Sequence, residues 1–292
     1  MTSFLFKLIF RMLSSMPLRW LHSLGALLGR ITFFISKEYA ARTEENLHQA
    51  HLIMDEKHYA AVLKRTVAEA GKGIVELPWI WGRPLEQVCA TVRQCQGWER
   101  VEAAMARGKG IIFLTPHWGC FEITAQYIGQ RLPLTSLYRS PKQAWLEQVM
   151  RNGRERGMAR LATADISGVR LLFKALKRGE AIGLLPDQVP SQGEGEWVDF
   201  FSRPAYTMTL SGRLAESSGA AVLLVYAERL PHGSGYDLRF EPLPLDFSRS
   251  VPLQINAALE RVIAISPAQY LWSYNRYKIP PGVLAPGAAR ER

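Results

Sequence analysis

Two short uncharged runs constrain the fold more than any other feature of the chain. Ile111, Ile112, Phe113 and Leu114 stand between Gly110 and Pro116, and residues 181–185 lead in the same way into Pro186, Asp187 and Gln188. A continuous apolar run of this length reads as a strand buried on both faces, and such strands need helices above and below the sheet. Strand and helix patterns alternate from residue 88 to 265. Further strands are expected at 88–95 as an edge, at 134–138, and at 220–227 and 236–241 as antiparallel neighbours across the 231–235 turn. Helices are expected at 98–107 (closed by Gly108), 167–178, 207–217 and 253–265, and through 38–77, where Asp55 is a suitable N-cap. Ser140, Pro141 and Gln143 make an S-x-x-Q capping box with proline at the first helical position, so another helix should start there and run to about Gly157. The sum is an α/β fold with a mostly parallel or mixed central sheet flanked by helices.

Each buried run delivers polar side chains at its end, which is where open α/β sheets place ligands. After the first come His117 and Glu122. On one continuous helix this spacing would turn them roughly 140° apart, so only a bend after the strand lets the carboxylate reach the imidazole. A carboxylate on one ring nitrogen fixes the tautomer and leaves the other to take a proton from a hydroxyl. The same residues also suit a helix-capping histidine and an exposed glutamate. Asp187, after the second run, is either a site residue or the cap of the next turn. Arg139 precedes the 141–157 helix, and Arg151, Arg154 and Arg156 lie near its end. Basic residues complement a helix C-terminus, but this cluster exceeds that need. Cys120 beside Phe121 reads as small apolar filler, with a nucleophile activated by His117 as the alternative. Residues 189–206 contain glycine and lack periodicity, as a functional loop or lid does. Trp79 and Trp81 either line an apolar groove or pack. His48, His51 and His58 have no ligand-spaced partners and read as surface residues.

The chain has 292 residues, 48% of them hydrophobic, which is ample for a core in one large domain or two small ones. Its 36 Lys and Arg against 26 Asp and Glu give a formal charge of +10, which points to an anionic partner such as nucleic acid or anionic lipid. Three cysteines without C-x2-C spacing suggest neither a disulfide framework nor a zinc site, and fit a reducing compartment. Neither phosphate-binding glycine loop is present, nor the G-x-S-x-G elbow, which argues against nucleotide binding and an acyl-serine hydrolase. Residues 4–35 are apolar but interrupted by Lys7, Arg11, Arg19 and Arg30. No uncharged stretch approaches the ~20 residues of a spanning helix. An interfacial anchor fits, apolar faces in lipid and cations at anionic headgroups; the alternative is a pair of amphipathic helices packed on the core.

HWGCFE matches the H-x4-D/E signature of glycerolipid-type acyltransferases, and its H-x-G-x-aromatic-E form is similar to that of the bacterial lipid A late acyltransferases. The resemblance continues in order through LYR and GRER, the P-D-Q of residues 186–188, and VDFFSRPAYT, with Ser202 where glycine is usual. It ends in PAQYLWSYNRYK, with Ala268 for glutamate and Asn275 for one arginine, and covers roughly residues 5–279. With the readings above, the chain divides into a membrane-associating helical segment over 1–36, a glycerolipid acyltransferase-like domain over 37–279 and a loose terminal tail over 280–292. The activity implied is transfer of a fatty acyl group from acyl carrier protein to a hydroxyl of an anionic, membrane-bound saccharolipid on the cytoplasmic face of the inner membrane. His117 would be the base and Glu122 its orienting partner. Arg139, Arg154, Arg156, Asp187 and Gln188 would bind substrate, with Phe200, Phe201 and Thr207 against the acyl chain. No metal or organic cofactor is implied, and no nucleic acid. Pro116 and Cys120 replace residues frequent in the family, which leaves other glycolipid, lysolipid or aminolipid acceptors open. A non-catalytic lipid-binding protein on the same scaffold is the reading from another class.

Overall fold

The computed structural model describes residues 2–287. Five helices precede the first strand: α1 (Thr2–Ser15), α2 (Leu18–Ile35), α3 (Lys37–Gln49), α4 (Glu56–Gly82) and α5 (Leu85–Cys89). Asp55 caps α4 by accepting from the His58 N–H at 2.6 Å. Helices α2 and α4 cross closely because glycines meet at the contact: a Cβ on Gly29 would lie 2.2 Å from the Val67 carbonyl, and one on Gly71 2.0 Å from that of Gly25. Leu18 and Leu21 of α2 join Val75, Trp79 and Ile80 of α4 in one buried cluster. The outer faces of α1 and α2 remain uncovered and apolar, with Leu8, Met12, Trp20, Leu28, Ile31 and Phe34 exposed. No helix among the described residues is long and apolar enough to cross a membrane.

The chain then alternates through β1 (Val92–Gln96), α6 (Trp98–Ala106), β2 (Ile111–Leu114), α7 (Phe121–Gly129), β3 (Leu134–Tyr138), α8 (Ala144–Arg154), β4 (Ala159–Thr163), α9 (Ile166–Lys177) and β5 (Ala181–Leu184). A hairpin of β6 (Gly195–Phe200) and β7 (Arg203–Met208) follows, then α10 (Leu210–Ser218), β8 (Ala221–Arg229), β9 (Tyr236–Pro242) and α11 (Val251–Ile265). Seven strands form the central sheet in the order β1-β9-β8-β2-β5-β3-β4, parallel throughout except for the β8–β9 pair. Strand β2 lies at its centre and alternates between two cores. Ile111 and Phe113 face Val101 of α6 and Ile123 of α7, while Ile112 and Leu114 face Leu172 of α9 and Leu259 of α11.

Several boundaries differ from the sequence expectation. The edge strand starts at Val92, with α5 before it, and β4 was not expected. Helix α8 begins at Ala144, because the Ser140 hydroxyl donates to Glu147 instead of capping the first turn, and it ends at Arg154. The region 189–206 contains most of an ordered hairpin, whose turn residues Phe201 and Ser202 both have left-handed φ, 50° and 58°. A two-residue turn with positive φ at both positions favours glycine, and here Phe201 and Ser202 occupy it instead. Thr207 belongs to β7, so the next helix starts at Leu210. In the expected tail, the Gly282 and Leu284 carbonyls accept from Gln192 and Trp197; residues 288–292 lie outside the described residues.

Candidate active site

Strands β2 and β5 are parallel neighbours with Leu114 opposite Leu184, and the Thr115 N–H continues the ladder to the Leu184 carbonyl at 3.0 Å. His117 and Asp187 stand at matching positions just beyond that last pair. The Asp187 carboxylate holds the histidine twice: Oδ2 accepts from the backbone N–H at 2.7 Å and Oδ1 lies 2.8 Å from Nδ1. Asp187 is only 2% exposed. Burial by itself would raise its carboxyl, but the charge and hydrogen bonds of His117, with the nearby Arg276 guanidinium, outweigh burial and hold it below the usual carboxylate range. A carboxylate at Nδ1 places the ring proton there and leaves the Nε2 lone pair to face outward. The Gln188 amide nitrogen sits 3.2 Å from that Nε2 and can donate to it.

Glu122 is not the residue that reaches His117. It projects from the first turn of α7 toward α8 and α4, where its carboxylate accepts from Arg154 Nη2 and from Arg154 Nε at 3.1 Å. The Trp81 indole donates to the same carboxylate at 2.9 Å. The bend after β2 turns the imidazole toward β5 instead, where the parallel register had already placed a carboxylate.

Nε2 opens on a cavity of about 710 Å³. Phe121, Leu137, Leu185, Val169, Met208 and Leu214 give it apolar walls, and Arg139, Arg154, Arg170 and Arg213 add positive charge. Arg139, Arg170 and Arg213 are exposed. Behind the shared wall of Phe121, Leu137, Tyr138 and Leu185 lies a narrow space of about 60 Å³ bordered by Phe113, Ile128, Leu134 and Leu161.

Residues 1–279 match the family described as bacterial lipid A biosynthesis acyltransferase. The chain belongs to that family. It is 27% identical over 274 residues to the lipid A biosynthesis lauroyltransferase of Escherichia coli (strain K12), covering 91% of this chain and 88% of that protein. It is also similar to the palmitoleoyltransferase of the same organism, 28% identical over 235 residues (77% of this chain, 75% of the relative). The myristoyltransferase is 23% identical over 269 residues (89% and 82%). The chain is therefore an O-acyltransferase of the lipid A type.

In this acyltransferase the expected substrate binders separate into two groups. Arg139, Arg154 and Gln188 border the cavity. Arg156 does not; its guanidinium is tied to Gln126 Oε1 at 2.7 and 3.0 Å and to the carbonyls of Ile80 at 2.6 Å and Arg83 at 2.5 Å, so it fastens α8 to α7 and α4. Phe201 and Thr207 also lie away from the cavity. Phe201 packs between Phe200 and Trp272, and the Thr207 hydroxyl accepts from Arg276 at 2.6 Å and Asn256 at 3.1 Å. Cys120 is buried, and burial pushes its thiol well above the ordinary value, which removes the thiolate a nucleophile requires. Trp79 packs, donating to the Met16 carbonyl, whereas Trp81 supports Glu122. Arg170 and Arg213 had no sequence signal, since exposed arginines on α9 and α10 look like any solvated helix face.

Proposed function

We propose that this acyltransferase moves a fatty acyl chain from acyl carrier protein to a hydroxyl of an anionic lipid A precursor or similar glycolipid, with His117 as general base held by Asp187. One observation carries the reading: a buried carboxylate pairs with a half-buried imidazole whose other nitrogen borders a cavity with apolar walls and exposed arginines. The acceptor oxygen attacks the thioester carbonyl as Nε2 takes its proton. The tetrahedral adduct collapses with cleavage of the C–S bond, and the imidazolium returns the proton to the leaving thiolate. The Asp187 carboxylate stabilises the imidazolium formed in between. The acceptor hydroxyl displaces the Gln188 amide from Nε2, and the freed N–H donates to the developing oxyanion.

The other residues divide the substrate between them. Apolar walls and the narrow space behind Phe121 suit the acyl chain, while Arg139, Arg170 and Arg213 suit phosphate. Glu122 acts indirectly, by fixing Arg154 at the cavity wall. The apolar outer faces of α1 and α2, with Lys7, Arg11, Arg19 and Arg30 exposed, suit docking on the cytoplasmic face of the inner membrane. The test is a transfer assay with acyl carrier proteins bearing different chains and a panel of lipid acceptors. Product on a phosphorylated glycolipid, lost in His117→Ala, is expected. Transfer to a simple lysophospholipid alone would reassign the acceptor, and no transfer to any acceptor would leave a binding protein.

A further inference from the structure

The site loop is closed from behind by a ring of three residues. The Gly119 N–H donates to the Gln269 carbonyl at 2.9 Å, and the Gln269 side chain bonds both backbone groups of Arg229, accepting at 2.8 Å and donating at 3.0 Å. Arg229 Nη2 then donates to the Gly119 carbonyl at 2.9 Å. Gly119 has φ of +57°, and a Cβ there would stand 2.0 Å from the Ala227 carbonyl, so the loop is pressed onto β8 with no slack. The ring closes on Gly119, with only Trp118 between it and His117.

The Arg229 guanidinium is itself held from the far side. Nε and Nη2 donate to Glu76 of α4 at 2.7 and 2.6 Å, and Nη1 to Glu69 at 2.7 Å. Glu76 is 1% exposed; it also accepts from the Tyr236 hydroxyl at 2.9 Å and lies 2.6 Å from His22 Nε2 of α2. Lys72 completes the set on Glu69 at 2.6 Å. Ion pairing alone would not require a contact to the loop carbonyl. A planar fork with five N–H groups makes all four of these bonds at once, two of them to Glu76; an ammonium has only three donors and no fork geometry.

We propose that Arg229 is a positioning residue for acyl transfer: it clamps the His117 loop through the Gly119 carbonyl, while Glu76 anchors it to the α2–α4 helices. The inference rests on His117 being the base. The geometry that depends on the clamp is the pair of hydrogen bonds by which Asp187 holds His117, which tolerates little movement, since a shift of about 1 Å in a catalytic group can cost ~10²-fold.

The experiment compares four variants of the full-length, detergent-extracted enzyme, each assayed well below its own Tm. Arg229→Lys keeps the charge but not the fork, and should lose about 10- to 100-fold in kcat with KM for both substrates within about threefold. Glu69→Gln weakens the Nη1 arm and the Lys72 pair, neither of which bonds the loop, and should keep kcat within about twofold even where its Tm falls as far. Glu76→Gln keeps Arg229 but loosens its anchor, and should reproduce the kcat loss; it decides the matter should Arg229→Lys not fold. His117→Ala separates the two readings. If His117→Ala stays active, the base assignment is at fault. If His117→Ala is inactive while Arg229→Lys or Glu76→Gln turns over normally, or Glu69→Gln loses as much kcat as they do, the clamp is refuted.

Discussion

Replacing Asp187 by asparagine tests the centre of the site with almost no change in shape. The carboxylate accepts from two donors of one residue, the backbone N–H of His117 at 2.7 Å and Nδ1 at 2.8 Å. An asparagine has a single acceptor oxygen. If that oxygen keeps the backbone N–H, the amide NH₂ faces Nδ1 and selects the tautomer protonated at Nε2, which has no lone pair for the acceptor hydroxyl. In Ser-His-Asp enzymes this tautomer error costs about 10⁴-fold, and general base catalysis as a whole is worth ~10² to 10⁴-fold. Asp187→Asn should therefore lower kcat by about 10³- to 10⁴-fold, or roughly 4 to 5.5 kcal/mol, with little change in acceptor KM. Single-turnover transfer from labelled acyl carrier protein, with Tm measured alongside, reads this directly. The double variant with His117→Ala should be no worse than the poorer single one, because the two act as a unit. Turnover of Asp187→Asn within about threefold of wild type, or losses that multiply, would refute the assignment.

Glu122→Gln strands Arg154 in a mostly buried site, so Tm should drop by about 4–8 °C for a loss of ~2 kcal/mol; Glu122→Gln/Arg154→Met should regain much of it, which calorimetry would detect. Arg139→Ala should raise KM for the phosphorylated substrate about 10- to 100-fold at nearly normal Tm. Arg156→Met should do the reverse, lowering Tm and leaving KM unchanged, and a KM effect in Arg156→Met would place it in the site after all. Flotation with anionic vesicles should capture the wild type and release it in high salt plus mild detergent, while Leu28→Asp/Phe34→Asp binds weakly; an N-terminus open to periplasmic protease would exclude docking of this kind.

Much of the sheet was legible because buried parallel strands show it in their composition. Ile111–Leu114 and residues 181–185 have no polar position, and at that length a strand covered on both faces suits them best. Strand β4 was harder, since Ala159–Thr163 carries the exposed Arg160, which breaks the apolar run. The hairpin was hidden because its turn uses Phe201 and Ser202 where glycine or asparagine would mark it. Within the site, His117, Glu122 and Asp187 each stood out, but the pairing did not. Proximity in sequence favoured Glu122, whereas the partner is set by which strand lies beside β2, and register between strands so far apart in the chain leaves no local trace. Arg156 looked like its neighbour Arg154, and only the direction of its side chain separates a fastener from a cavity residue.

The order of strands has a bearing on how the enzyme comes into being. Strand β5 lies between β2 and β3, yet it follows both of them in the chain. Until residues 181–184 enter that slot, the middle of the sheet is vacant and Asp187 has nowhere to stand. A refolding chain that forms its local helices first would leave the histidine without its carboxylate until β5 is inserted, so recovery of turnover should not precede that step.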